Sequence, residues 1–217
     1  SVRNGPGAER LEEVVDPCIP IVSSREGAAL LGIPRARERA PDLAALARAN
    51  AAANAIADDL EVVNADISGP VTGLAPASFG HVLTNPPFRP RDQGRAPADA
   101  ARRAASIEDT PDLAGWLAFC CRMLAERGTL TLIHRADRLP EILAHLTGRL
   151  GDLAVLPLWP GGTPARPARR VLVRARRGSR APFRLLPGLV LHRADGTFSE
   201  QAQAILREAA PIAWEER

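Results

Sequence analysis

The sequence has no lysine and no tyrosine, a single methionine, and only 4% aromatic residues. Without lysine there is no Walker-type phosphate loop, because that loop needs the lysine side chain on the phosphates. Three cysteines, Cys18, Cys120 and Cys121, are too few and too oddly spaced for a disulfide framework. Cys120 and Cys121 are adjacent, a geometry that resists bridging, and they read as small buried hydrophobes. The four histidines, His81, His134, His145 and His192, show no ligand spacing with one another or with cysteine, so no metal site is expected. No Gly-x-Ser-x-Gly nucleophile elbow occurs. No apolar run is long enough to cross a bilayer, and Ser1 to Gly7 lacks the apolar core of a secretion signal. A cytoplasmic protein with no membrane partner is expected.

What is present suits one globular domain spanning residues 1–217, with 46% hydrophobic and 24% charged residues. The formal charge is +3 and the pI about 9.3, with arginine as the only strong base. Such an excess permits nucleic-acid binding without requiring it. Oligomeric state is not legible.

From Glu38 onward, helical and strand patterns alternate. Residues 41–56 predict a helix, with Pro41 in the first turn and alanine through the body. Strands are predicted at 60–65 and 80–84, the second stopped by Pro86-Pro87. Residues 89–109 are rich in Arg, Ala, Pro and Asp and predict a mobile loop, with a short helix near 98–105. Thr110 is the expected N-cap of a helix carrying Leu113, Trp116, Leu117, Cys120 and Leu124 on one face and ending at Gly128. A strand at 129–134, a helix at 139–150 and strands at 153–158 and 170–175 follow. A hairpin at 183–191 turning near Pro187-Gly188, and a last helix capped by Ser199, complete the chain. The alternation predicts an α/β domain with a mostly parallel sheet, helices on both faces and an antiparallel C-terminal edge.

In such a sheet, ligands sit beyond the carboxyl ends of the strands. Glu38, Asp66 and Asn85 stand at three such positions. A carboxylate at Glu38 suits a ribose diol, Asp66 an adenine amino group, and Asn85 offers both a donor and an acceptor. The run Asn85-Pro86-Pro87-Phe88 has a logic of its own. The Asn85 side-chain oxygen and the Pro86 carbonyl can accept from a planar amino group, leaving its lone pair available. Neither proline has a competing N–H, and Phe88 can stack on the target ring. Set against this, Asn-Pro-Pro alone is also an ordinary turn after a strand.

The ordered set Glu38-Arg39-Ala40-Pro41, Asn64-Ala65-Asp66-Ile67, Asn85-Pro86-Pro87-Phe88, Arg127-Gly128-Thr129 and Pro167 to Val173 resembles the Rossmann-like class I S-adenosyl-L-methionine-dependent methyltransferases. Within these it is similar to the bacterial tRNA(Val) adenine-N6 methyltransferase family, over roughly residues 38–210. The resemblance implies S-adenosyl-L-methionine as cofactor and RNA, a tRNA, as partner. It implies that Asp16, Glu38, Arg39, Asp66, Ile67 and Asn85 hold the cofactor, and that Asn85, Pro86, Pro87 and Phe88 hold the target amine. The 89–109 loop would flank the nucleotide, with Arg89, Arg102, Arg103, Arg169 and Arg170 on phosphates. The motif itself specifies a planar amino nitrogen more firmly than adenine.

Residues 1–37 depart from that family. Asp16-Pro17-Cys18-Ile19-Pro20 stands where an acid-led glycine loop is expected. The loop is rebuilt, the cofactor site is lost, or the coding sequence of 12–37 is altered. Two functions therefore compete: an active N-methyltransferase, and a catalytically impaired domain that binds RNA or a partner.

Overall fold

The computed structural model describes residues 21–24, 27–32, 40–55, 57–58, 60–64, 67, 74–86, 112–161 and 166–214. Its centre is a nine-stranded sheet. The strands are β1 (Ile21–Ser24), β2 (Gly27–Gly32), β3 (Leu60–Asn64), β4 (Phe79–Thr84) and β5 (Leu124–Arg135). They continue with β6 (Gly151–Trp159), β7 (Arg170–Arg176), β8 (Arg184–Leu185) and β9 (Leu189–Val190). The order across the sheet is β3-β2-β1-β4-β5-β7-β6-β8, with β9 also on β6. The helices are α1 (Ala40–Ala53), α2 (Leu113–Met123), α3 (Leu139–Leu146) and α4 (Glu200–Glu208). None of the described helices is long and apolar enough to cross a membrane.

The sheet is mixed, not mostly parallel. β1 runs antiparallel to both β2 and β4, and β7 runs antiparallel to both β5 and β6. The other pairings, β2 with β3, β4 with β5, and β6 with β8 and β9, are parallel. The antiparallel strand near the C-terminus is thus β7, two places inside the edge, and the edge strands β8 and β9 run parallel to β6. Residues 183–191 do not form a hairpin. β8 and β9 lie one after the other along β6, at Ala154–Val155 and at Leu158–Trp159. Pro157 falls between these two pairings, where it has no N–H to offer a partner.

Period-two alternation divides the core between two faces. Leu153, Val155, Val171 and Val173 join Val82, Leu130 and Leu132 beneath α2 and α3, which contribute Trp116, Leu117, Cys120, Ile142 and Leu146. Ala154, Leu156 and Leu158 pack on the opposite face with Leu186, Leu189, Ile205 and Trp214. Helices therefore cover both faces, as the alternation predicts.

Several helix ends differ from expectation. Asp112, not Thr110, caps α2: its carboxylate accepts from the Gly115 N–H at 2.8 Å. α2 stops at Met123 because Leu124 is extended, and Gly128 lies within β5. There a β-carbon would sit 2.8 Å from the Ala125 carbonyl oxygen and 2.9 Å from that of Phe79, so glycine permits the close approach of β4. α3 ends at Leu146, four residues early, because Thr147 is extended and Gly148 has a φ of 81°. Ser199 caps α4 as expected, accepting from the Ala202 N–H at 3.1 Å.

One long-range bond joins the two halves of the larger core. The Trp116 indole Nε1 donates to the Thr84 hydroxyl at 2.8 Å, with both residues buried. It ties α2 to the last residue of β4.

Two predictions follow from this packing. Trp116→Phe leaves the Thr84 hydroxyl buried without its donor, and should cost about 1–3 kcal/mol in urea unfolding. An unchanged midpoint would show the bond to be immaterial. Gly188 has a φ of 99°, and a β-carbon there would lie 2.4 Å from Trp159 Nε1. Gly188→Ala should therefore destabilise by more than about 1 kcal/mol, and a stability equal to wild type would contradict the fit along β6.

Candidate active site

Thr84 pairs with Leu132 of β5, and Leu83 with Ile21 of β1, so the end of β4 is held from both sides. From below, Trp116 holds the Thr84 hydroxyl, next to the enclosed Cys120 thiol. Burial pushes that thiol far above its ordinary pKa, with adjacent Cys121 a smaller contribution in the same direction. Cys120 is thus an uncharged packing element rather than a nucleophile.

The chain leaves this clamp as Asn85 and Pro86, the first half-buried and the second buried. The Asn85 side-chain oxygen is buried and has no hydrogen-bond partner among the described residues. A buried acceptor in that state costs free energy of about 1–3 kcal/mol. It is also a group shaped to receive a donor from outside. Leu83 lies beside it, on the face opposite Thr84, and is 48% exposed although apolar. Sequence reasoning missed Leu83, and it missed Thr84 and Trp116 as the clamp. The strand pattern two residues before Asn85 carries a signal for Leu83; nothing local signals the Trp116 bond.

Strand direction decides what else reaches this edge. β2, β3, β4 and β5 all run the same way and end there, at Gly32, Asn64, Thr84 and Arg135. Ile67 follows Asn64 by three positions, and its side chain is packed in the core under α2. β1 is reversed, so it enters the sheet at this edge and ends at the other. Ile21 therefore lies at the Asn85 edge and Ser24 at the other. Asp16, Glu38, Arg39, Asp66, Pro87, Phe88, Arg89, Arg102 and Arg103, with the 89–109 loop, lie outside the described residues.

The arginine run at 166–180 does not form one basic face. Arg169 and Arg170 are exposed where β7 begins, and Arg170 pairs with Arg135 at the end of β5. They belong to the Asn85 edge. Arg174 turns to the other face, 3.8 Å from Asp152 and over the Trp214 ring at 5.2 Å. Arg177 sits at the opposite edge and donates to the Leu124 carbonyl at 2.6 Å. At the Asn85 edge, Arg135 also pairs with Asp137, and this hydrogen bond holds the Asp137 carboxyl below its usual range.

His134 is fully buried on the same side of β5 as Leu130 and Leu132, so it does not face the open edge. Among the described residues, no three metal-ligating side chains stand together.

No protein-family model and no curated protein matches the chain in sequence. Solved structures do match. A predicted O-methyltransferase from Agrobacterium tumefaciens aligns with a TM-score of 0.65 and 23% identity, covering 85% of this chain and 78% of that one. A chain named as a modification subunit of a type I restriction enzyme, from Vibrio vulnificus YJ016, aligns over 71% of this chain and 36% of its own. Its TM-score of 0.43 and 13% identity are too low to bear weight. The Agrobacterium likeness shows fold alone: this chain has the α/β architecture of a predicted O-methyltransferase.

Proposed function

We propose that the chain is an S-adenosyl-L-methionine-dependent N-methyltransferase acting on an exocyclic amino group, adenine N6 in a tRNA. The buried side-chain oxygen of Asn85, unpartnered among the described residues, carries this reading. It hangs from a clamped strand end, at the edge where the parallel strands finish, which is where open α/β sheets bind ligands. A planar amine supplies the hydrogen that this oxygen lacks. The Agrobacterium protein's name specifies oxygen as its methyl acceptor; the run Asn85-Pro86-Pro87-Phe88 favours nitrogen here.

The described residues fit a nucleoside cofactor to the extent that the ends of β2, β3 and β4 share one edge with that acceptor. In this reading Glu38 holds the ribose, Asp66 and Arg39 contact the adenine, Ile67 contributes through its backbone because its side chain is in the core, and Asp16 is a further cofactor contact. When bound, the cofactor supplies a methyl group on a sulfonium. The chain's part is positional. Asn85 and the Pro86 carbonyl each accept an amine hydrogen, which keeps the nitrogen lone pair clear of its own ring and aimed outward. Phe88 stacks on the base, and no strong base is needed, since the methylated nitrogen sheds its proton to water. Arg169 and Arg170, with Arg89, Arg102 and Arg103, contact RNA phosphates.

The reversal of β1 favours a second reading, a domain that binds RNA without catalysis. A glycine loop following β1 would lie at the far edge from Asn85, so it cannot serve the site.

Asn85→Ala separates the two. In the active reading it lowers methyl transfer to bulk tRNA by about 100-fold or more, as loss of one preorganised hydrogen bond does. It also leaves stability equal or raised by up to about 1 kcal/mol, because an unsatisfied buried acceptor is removed. Methylation at the wild-type rate by this variant would remove Asn85 from the mechanism.

A further inference from the structure

A second site lies at the sheet edge away from Asn85. The loop before β4 meets the end of α2 there, where the Ala77 N–H donates to the Arg122 carbonyl at 2.9 Å. Ala77, Cys121, Arg122, Arg149, Leu150 and Arg177 border a hollow of about 400 Å³. Three of these are arginines, from α2, the turn after α3, and the end of β7.

None of the three has a carboxylate partner among the described residues. Arg122 lies over the Phe119 ring at 5.3 Å. Arg177 donates to the Leu124 carbonyl at 2.6 Å and the Cys121 carbonyl at 3.5 Å. Those bonds fix its guanidinium against the end of α2 and leave further N–H groups to donate. Arg149 is exposed, and its guanidinium makes no hydrogen bond or ion pair with a described residue. The acid closest in sequence to this edge, Glu126, packs against Gly178 instead. Elsewhere the chain does neutralise its arginines: Asp152 takes Arg174 and Arg184, and Glu200 takes Arg193. Three like charges around one hollow repel each other, and an oxyanion relieves that repulsion while accepting their N–H groups in pairs.

We propose that this hollow binds a phosphate group, held by Arg122, Arg149 and Arg177. A backbone phosphate of a nucleic acid and a free phosphate share the required chemistry. The hollow is far larger than one phosphate, which leaves room for the group that carries it.

Cys121 reports on occupancy. Its thiol borders the hollow and is half-buried; burial pushes its pKa up, while Arg149 and Arg177 pull it down. A bound phosphate screens both guanidiniums and covers the sulfur. The test is the rate of iodoacetamide alkylation at Cys121, read by peptide mass spectrometry on the full chain at constant ionic strength. Inorganic phosphate should slow alkylation saturably, by about fivefold or more, as the thiolate fraction falls. Arg149→Gln should abolish that protection, and Arg166→Gln, outside the hollow, should keep it. Enclosed Cys120 should stay unlabelled in every sample, which reports an intact fold. A short single-stranded RNA protecting at concentrations where phosphate does not assigns the site to nucleic-acid backbone; protection by phosphate alone assigns it to the free ion. No protection by either, or protection that survives Arg149→Gln, overturns the proposal. The readout does not involve methyl transfer, so it stands or falls apart from the Asn85 reading.

Discussion

The hydrogen bond from Trp116 to Thr84 holds the chain where β4 gives way to the candidate site at Asn85. Its net worth is small, about 1 kcal/mol, but in a dry core the cost of breaking it falls on two buried polar groups at once. Thr84 is also the last ladder residue of β4, locked to β5, and Asn85 follows directly. A half-buried amide with an unpartnered oxygen holds its position only if its anchor does not move. α2 supplies that anchor through packing as well, since Trp116, Leu117 and Cys120 fill the face under β4 and β5.

Strand direction then separates the two candidate surfaces. The ends of β2 to β5 gather at the Asn85 edge together with Arg169 and Arg170. The starts of those strands gather at the other edge with Arg122, Arg149 and Arg177. The arginines between 169 and 177 are thus distributed by β7 to two edges about 20 Å apart, at roughly 3.3 Å per strand residue. Reversal of β1 carries the strongest consequence for chemistry. It puts Ile21 at the Asn85 edge and Ser24 at the other.

Much of the architecture was legible in the sequence. Clear periods marked β3, β4, β6, β7 and α3, and the Ser199 cap was correct to the residue. What failed had physical causes. The sheet was expected to be mostly parallel, but β1, a strand the sequence reading did not place, runs against β4 some sixty residues away, a pairing no local pattern encodes. β8 and β9 look like a hairpin because Pro187-Gly188 is a turn dipeptide, but both strands find parallel partners on β6 instead. Gly128 has the composition of a helix stop and is used for a close strand approach. For the candidate site, Asn85 and Pro86 were named from chemistry, and the structure adds that the Asn85 oxygen is buried. Leu83 and the Trp116 bond emerge only in three dimensions.

The central claim is that the edge holding Asn85 takes S-adenosyl-L-methionine. Calorimetric titration of the full chain with that cofactor, and separately with S-adenosylhomocysteine, tests it most directly. The account predicts saturable binding in the micromolar range, weakened by Glu38→Ala. Absence of heat at millimolar ligand, from a protein that unfolds cooperatively, would contradict it and leave the RNA-binding reading in its place.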